Sequence, residues 1–440
     1  MSNLSDMFVG EDCTIGDAIK IIDKTEKKTV FVVRDYNKLV GVVNDGDVRR
    51  SLLQGNDLSS PVTSIMNDNP ITDVNTAKDR LKLVDVSYIL VPIVDGNNRI
   101  IDCTVVTDSD EVSINEKDMK RHRRVLVIGG AGYLGSVLCE KLLHNGYNVR
   151  VLDVLLYGDD GIKHLYKDPS FEFIKGDARD LQTLVKCVHD VDAVIHLAAI
   201  VGDPASSISP EDTIQTNYFA SKMIAEVCKY SQINRFIFAS TCSVYGANKP
   251  GKTLVESSML NPVSLYAKMK LKSEGAILDM TDDRFKPTVF RMATLHGVSP
   301  RMRFDLVVNL FAITAIYKKM ITVNGGEQYR SFCHVDDAAQ AYINCLEKPI
   351  DKTDTIFNIV SENLSIGELG NKIKSVFKCK IKINPVEDIR DYKVSSIWAN
   401  STLELSYGKT IDDTLQEIKE MSELYKDYTN PIYSNVEWLS

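Results

Sequence analysis

Tyr266 and Lys270 stand four residues apart in the run Tyr266-Ala267-Lys268-Met269-Lys270. Four residues is one helical turn, so a helix over residues 264–278 carries both side chains on one face. A free phenol has a pKa of about 10. An ammonium beside it favours the phenolate and draws that value down. Such a pair can take a proton from a substrate hydroxyl and return it. The same spacing also arises by chance on exposed helices, so the pair needs companions elsewhere in the chain.

Gly129-Gly130-Ala131-Gly132-Tyr133-Leu134-Gly135 supplies the first companion. Residues 124–128, Arg-Val-Leu-Val-Ile, read as a short buried strand before it. Residues 136–144 carry helical spacing after it, Gly146 ends that helix, and residues 148–152 begin a second strand. A tight glycine turn of this kind lets backbone amides reach a pyrophosphate at a helix N-terminus. Asp153 closes the second strand, 21 residues after Gly132. A carboxylate there accepts hydrogen bonds from ribose hydroxyls and repels a 2′-phosphate, so the expected cofactor is NAD rather than NADP.

The 440-residue length allows two or three domains with ample core. A net charge of −8 gives no reason to expect nucleic acid or a membrane surface as partner. No apolar run approaches the roughly 18 residues of a membrane span, and no basic-then-apolar leader opens the chain. Nine cysteines lie scattered without a C-x-x-C, which points to reduced thiols and a cytoplasmic protein. The seven histidines lack metal-ligand spacing, so no metal is expected.

Residues 111–124 are charged and poor in apolar side chains, which places a linker at 116–123. Before it lies a duplication: residues 32–41 resemble residues 93–102 at an offset of 61. Each copy reads as strand, Asn-containing turn and strand. Helical patterns flank the first copy, at Ile15, Ala18, Ile19 and Ile22 and again over 48–53. Paired units of this size bury their apolar faces against each other. These residues resemble a tandem CBS pair, an α+β module assigned to residues 1–115. The resemblance implies an adenine-nucleotide site in which Asp47 holds the ribose. Asn44 stands where the family carries a hydroxyl residue, and Asp108 falls 61 after Asp47. Asp45 and Asp47 also suit a helix start, where carboxylates meet the helix dipole.

From residue 124 to 440, strands alternate with helices, which argues a parallel sheet covered on both faces. Strands at 171–175, 193–197 and 235–239 run into Gly176-Asp177-Ala178, Leu197-Ala198-Ala199 and Ser240-Thr241-Cys242-Ser243. Ligands in such sheets bind beyond the carboxyl ends of the strands, so these segments should converge. His196 reads as a packed strand residue. These motifs, with Arg330-Ser331-Phe332-Cys333-His334-Val335-Asp336-Asp337, resemble the extended short-chain dehydrogenase/reductase family that handles nucleotide-diphosphate sugars. The implied fold is a Rossmann-type doubly wound α/β sheet with a smaller C-terminal substrate-binding subdomain.

The resemblance also implies roles. Gly129, Gly132, Tyr133, Leu134, Gly135, Asp153, Asp177, Ala178, Leu197, Ala198, Ala199, Ser240 and Lys270 would bind NAD. Thr241 would hydrogen-bond the reacting hydroxyl, Tyr266 would be the base, and Lys270 would tune it. Arg330, Asn309, Arg390 and Thr294 would meet the nucleotide-diphosphate sugar. The basic loop 299–303 should face the same ligand.

In the family a hydride leaves sugar C4 as the tyrosine takes the hydroxyl proton, giving a 4-keto sugar. Dehydratases of the family carry Asp-Glu after the threonine, where this chain has Cys242-Ser243. Serine is a poor base and a buried cysteine is inert. The expected reaction is therefore 4-epimerisation. A 4,6-dehydratase or 4-ketoreductase of deoxysugar synthesis is the alternative. A non-catalytic NAD- and adenylate-binding sensor is the alternative of another class, disfavoured by an intact Thr241, Tyr266 and Lys270. Helix 264–278 and the CBS pair both suit a homo-oligomer.

Overall fold

Val125, Leu126, Val127 and Ile128 are all buried, as an unbroken apolar run requires of a strand covered on both faces. The structure, a computed structural model, describes residues 4–436 apart from 26, 36, 54, 73–88, 107–110, 114–123, 249–250, 283–284, 349–354 and 387. The expected linker 116–123 and Asp108 lie outside the described residues. The chain forms two compact units, Met1–Arg123 and Arg124–Ser440.

The second unit is built on one sheet, whose strands are numbered here within that unit. They are β1 (Arg124–Ile128), β2 (Asn148–Asp153), β3 (Phe171–Lys175), β4 (Ala193–His196), β5 (Arg235–Thr241), β6 (Thr288–Met292) and β7 (Ile356–Ile359). Their order is β7-β6-β5-β4-β1-β2-β3, and every pairing is parallel. Alternate side chains feed two cores. Val125, Val127, Ile195 and Ile237 join one, and Leu126, Ile128, Val194 and Phe236 join the other. The order reverses between β1 and β4, which opens a crevice beyond their carboxyl ends. Past β6 the chain builds a smaller part from short sheets, such as Thr294–His296 with Tyr329–His334 and Glu362–Ser365. The Rossmann-type α/β architecture expected from the motifs is the one observed.

Helix α1 (Tyr133–His144) follows the glycine turn, and helix α2 (Leu265–Leu278) carries Tyr266 and Lys270. Ser264 caps α2 by accepting a hydrogen bond from the Ala267 N–H at 3.2 Å. The face that α2 buries is partly polar: Tyr266, Lys270, Ser273 and Glu274 are buried beside Ala267, Met269 and Ile277. Glu274 forms an ion pair with Arg291 of β6 at 2.8 Å, with both side chains only 2% exposed. The Ser240 hydroxyl of β5 donates to the same carboxylate. Two strand ends are thus tied to the helix that bears the tyrosine.

The first unit confirms the duplication in its geometry. Thr29–Arg34 and Lys38–Asn44 form a hairpin whose register shifts between Val32 and Val33. Ile89–Val94 and Ile100–Val106 form another, with its shift between Ile93 and Val94, 61 residues on. The hairpins bond reciprocally: Leu39 N–H donates to the Asn98 carbonyl and Ile100 N–H to the Asn37 carbonyl, both at 2.9 Å. The Asn98 and Asn37 side-chain amides repeat the exchange, donating to the carbonyls of Leu39 and Ile100 at 2.8 and 3.2 Å. Leu39 and Ile100 also share one core, with Phe31 and Leu90. Each hairpin therefore completes the other.

Removing one partner from a buried pair leaves a charge uncompensated. Glu274→Ala should lower the unfolding free energy of the second unit by about 3–5 kcal/mol, measured by urea denaturation. A loss under about 1 kcal/mol, the median for exposed pairs, would contradict this placement.

Candidate active site

The crevice is a cavity of about 610 Å³. Its lining includes Gly129, Gly132, Tyr133, Leu134, Gly135, Asp153, Asp177, Ala178, Leu197, Ala198, Ala199, Ser240, Thr241, Tyr266, Lys270 and Thr294. Every expected cofactor and catalytic position therefore meets in one place.

The glycine turn is close-packed on its protein side and open toward the cavity. Gly129 sits at φ +87°, and a Cβ there would fall 2.6 Å from the Ala198 nitrogen. A Cβ on Gly135 would fall 2.5 Å from the Gly129 carbonyl oxygen. On Gly132, the N-cap of α1, it would meet only the Gly129 carbonyl, at 3.5 Å. No side chain caps this helix start, so its first N–H groups suit a diphosphate. Asp153 accepts hydrogen bonds from the N–H groups of Ala131 (3.0 Å) and Leu155 (2.8 Å). Burial pushes its carboxyl up, and those bonds and the charge of Arg301 oppose the rise. Asp177 pairs with Arg179 at 2.7 Å, which holds its carboxyl low. These residues fit a dinucleotide.

Tyr266 and Lys270 are 8% and 1% exposed, so neither is a surface helix residue. Burial raises the Tyr266 phenol above its ordinary value, and the nearby charge of Asp203 raises it further. A hydrogen bond with Thr241 and the charge of Arg303 pull it back. The expectation that Lys270 sharpens the phenol needs correction for this state. The Lys270 ammonium donates to the Ala239 carbonyl at 2.8 Å and lies 4.7 Å from the Phe238 ring centroid. Burial lowers its own pKa to about 7, against the opposing charge of Glu274. The two groups share a face, and the low-dielectric setting disfavours charge on either.

The positions after Thr241 part company. Cys242 turns into the core, its thiol 3.3 Å from the Arg291 carbonyl and raised in pKa by burial. Ser243 faces the cavity, and its N–H donates to the Thr241 hydroxyl at 3.1 Å. His196 is packed, as expected, within 2.9 Å of the Ser221 hydroxyl. Its pKa is lowered by burial.

Of the expected sugar-nucleotide residues, Thr294 lines the cavity and three others do not. The Asn309 amide is used inside the protein, accepting from the Gly297 N–H at 3.1 Å and donating to the Tyr133 hydroxyl at 3.1 Å. Arg330 and Arg390 both bond Asp388, at 2.7 and 2.6 Å. Arg390 also pairs with Asp203, which does line the cavity, and lies with Asp388 on a smaller neighbouring one. In the first unit, Asn44 and Asp47 cap a helix reciprocally, each accepting from the other's N–H at 2.9 Å. Asp47 also pairs with Arg50 at 2.5 Å, so its carboxylate serves the helix start.

Sequence reading missed Asp203, Tyr157 and Tyr392, all on the cavity wall. The signal for Asp203 was available: Gly202-Asp203-Pro204 reads as a turn into a helix start, and Asp203 opens a helix there. Arg301 and Arg303 of the basic loop also reach the wall, as that loop's charge suggested. Among the described residues, no group of three or more His, Cys, Asp or Glu is placed to hold a metal. None of their helices is long and apolar enough to cross a membrane.

A family model described as "NAD dependent epimerase/dehydratase family" matches residues 125–359, more than half of the chain. The chain belongs to this family. A CBS domain model matches residues 4–54. The "Uncharacterized UDP-glucose epimerase YtcB" of Bacillus subtilis (strain 168) is 31% identical over 284 residues, 62% of this chain and 84% of that protein. The UDP-glucose 4-epimerase of Lactobacillus helveticus is 29% identical, over 58% of this chain and 82% of its own. The UDP-glucuronic acid 4-epimerase from Bacillus cereus, solved with UDP-glucuronic acid and NAD, aligns with a TM-score of 0.60 at 26% identity. It covers 68% of this chain and 99% of that one. Family membership agrees with a cavity whose glycine turn and acid suit NAD.

Lys270 is held below its ordinary value, so the unfolded chain keeps a proton that the folded chain has lost between pH 7 and 10.5. Stability contributed by this site therefore rises with pH across that window. In paired denaturation curves, the stability of wild type minus that of Lys270→Met should rise from pH 7 to pH 10. A difference that stays flat would place Lys270 in solvent.

Proposed function

We propose that the protein is an NAD-dependent nucleotide-diphosphate-sugar 4-epimerase. The observation that carries this reading is the Thr241–Tyr266 pair in the cavity wall, followed by Cys242-Ser243 rather than two carboxylates. Thr241 positions the sugar hydroxyl. Tyr266 takes the hydroxyl proton as the neighbouring carbon loses its hydride, giving a 4-keto sugar. Bound NAD supplies the hydride acceptor and later the donor. Gly132, Leu134, Asp153 and Ala198 would hold it. After the keto sugar turns over, Tyr266 would return the proton to the oxygen, leaving C4 inverted. No net oxidation occurs.

Dehydration needs an added base at C5 and an acid at C6. Cys242 is buried with its thiol held protonated, and Ser243 is a poor base, so positions 242–243 supply neither. Asp203 is a carboxylate on the wall, but it is paired with Arg390. Epimerisation asks only for the proton shuttle assigned here to Tyr266.

Purified protein should invert one member of a panel of nucleotide sugars without added cofactor, with mass conserved, as followed by NMR. Tyr266→Phe should lower turnover by roughly 10²–10⁴-fold and leave NAD bound. Substantial activity in that variant, or a product lighter by one water, would contradict the proposal.

A further inference from the structure

Of the other buried guanidinium groups of the second unit, Arg150, Arg291, Arg303 and Arg330 are answered by carboxylates, and Arg235 by the carbonyls of Cys345 and Lys348. Arg301 differs. It is 5% exposed, and among the described residues its Nε and Nη2 have no hydrogen-bond partner. Its guanidinium carbon lies 4.3 Å from the Tyr157 ring centroid, a stacking contact that fixes the fork without using its donors.

The position of Arg301 says what those donors face. A Cβ on Gly161 would lie 2.7 Å from the Ala131 carbonyl oxygen and 2.9 Å from the Arg301 Cβ. Arg301 therefore packs where the glycine turn meets the loop after β2. Asp153, bonded to the Ala131 N–H, lies close enough for the Arg301 charge to favour its ionised form. Arg301 and Asp153 both line the cavity. A desolvated cation with idle donors, beside an uncapped helix start, is complementary to a dianionic ester. The guanidinium fork matches two phosphate oxygens at once.

We propose that Arg301 is a diphosphate-binding residue, and that the diphosphate is that of the dinucleotide. It would act with the α1 N-terminus and keep NAD resident through successive turnovers. This rests on NAD binding in the cavity and not on the epimerase outcome, so failure to find an epimerised product leaves it standing. The diphosphate of a sugar nucleotide has the same chemistry, and the test separates the two sources.

Full-length wild type, Arg301→Gln and Arg301→Lys would be stripped of nucleotide and titrated with NAD and with ADP by calorimetry. The same proteins, reloaded with saturating NAD, would be titrated with UDP and dTDP. The expected result is NAD and ADP affinity weaker by about tenfold or more in Arg301→Gln, a smaller loss in Arg301→Lys, and unchanged UDP and dTDP affinity. Unchanged NAD and ADP affinity overturns the proposal. A loss confined to UDP and dTDP overturns it too, and assigns Arg301 to the sugar nucleotide. If Arg301→Gln does not fold, Arg301→Lys decides, because it keeps the charge but loses the fork. NAD affinity equal to wild type in that variant then overturns the assignment.

Discussion

One carboxylate, that of Glu274, fixes helix α2 to the sheet. It takes hydrogen bonds from Arg291 on β6 and from Ser240 on β5. Tyr266, Lys270 and Glu274 follow one another at four-residue steps, so they form one stripe along α2. Anchoring Glu274 sets the rotation of the whole stripe. It brings Tyr266 against Thr241, the residue after Ser240, at the carboxyl end of β5. A buried ion pair adds little net stability over apolar packing, but breaking it is costly. Here its consequence is registration of the helix against the ends of β5 and β6.

Burial then governs the chemistry. It raises the phenol of Tyr266 and lowers the ammonium of Lys270, so charge on either group is disfavoured. A phenol in that setting keeps its proton until another group shares the developing charge. Thr241 and Arg303 already pull in that direction, and Asp203 pulls against them. Asp203 is in turn neutralised by Arg390 across the cavity edge. The Tyr266 phenol is thus tuned from several distant segments rather than by the lysine alone.

The parts legible in the sequence are those made by neighbours in the chain. The glycine turn, Asp153 and the four-residue step from Tyr266 to Lys270 each lie within one strand, turn or helix. The 61-residue repeat was equally visible, and the matching register shifts at Val32 and Ile93 show why it persists: each hairpin needs the other's carbonyls. What stayed hidden joins residues far apart in the chain. Arg390 finds Asp203 and Arg301 finds Tyr157, while Asn309 spends its amide on Tyr133 and Gly297 instead of a ligand. The direction of the Tyr266 shift was hidden for the same reason, because depth of burial is a property of the fold and not of spacing.

The central claim is that one hydride leaves and returns to the same sugar carbon while Tyr266 moves the proton. A sugar nucleotide carrying deuterium at C4, incubated in ordinary water without added cofactor, tests it most directly. The account predicts an inverted product that keeps its deuterium at C4. Exchange of that label with solvent, or its migration to another carbon, would contradict it.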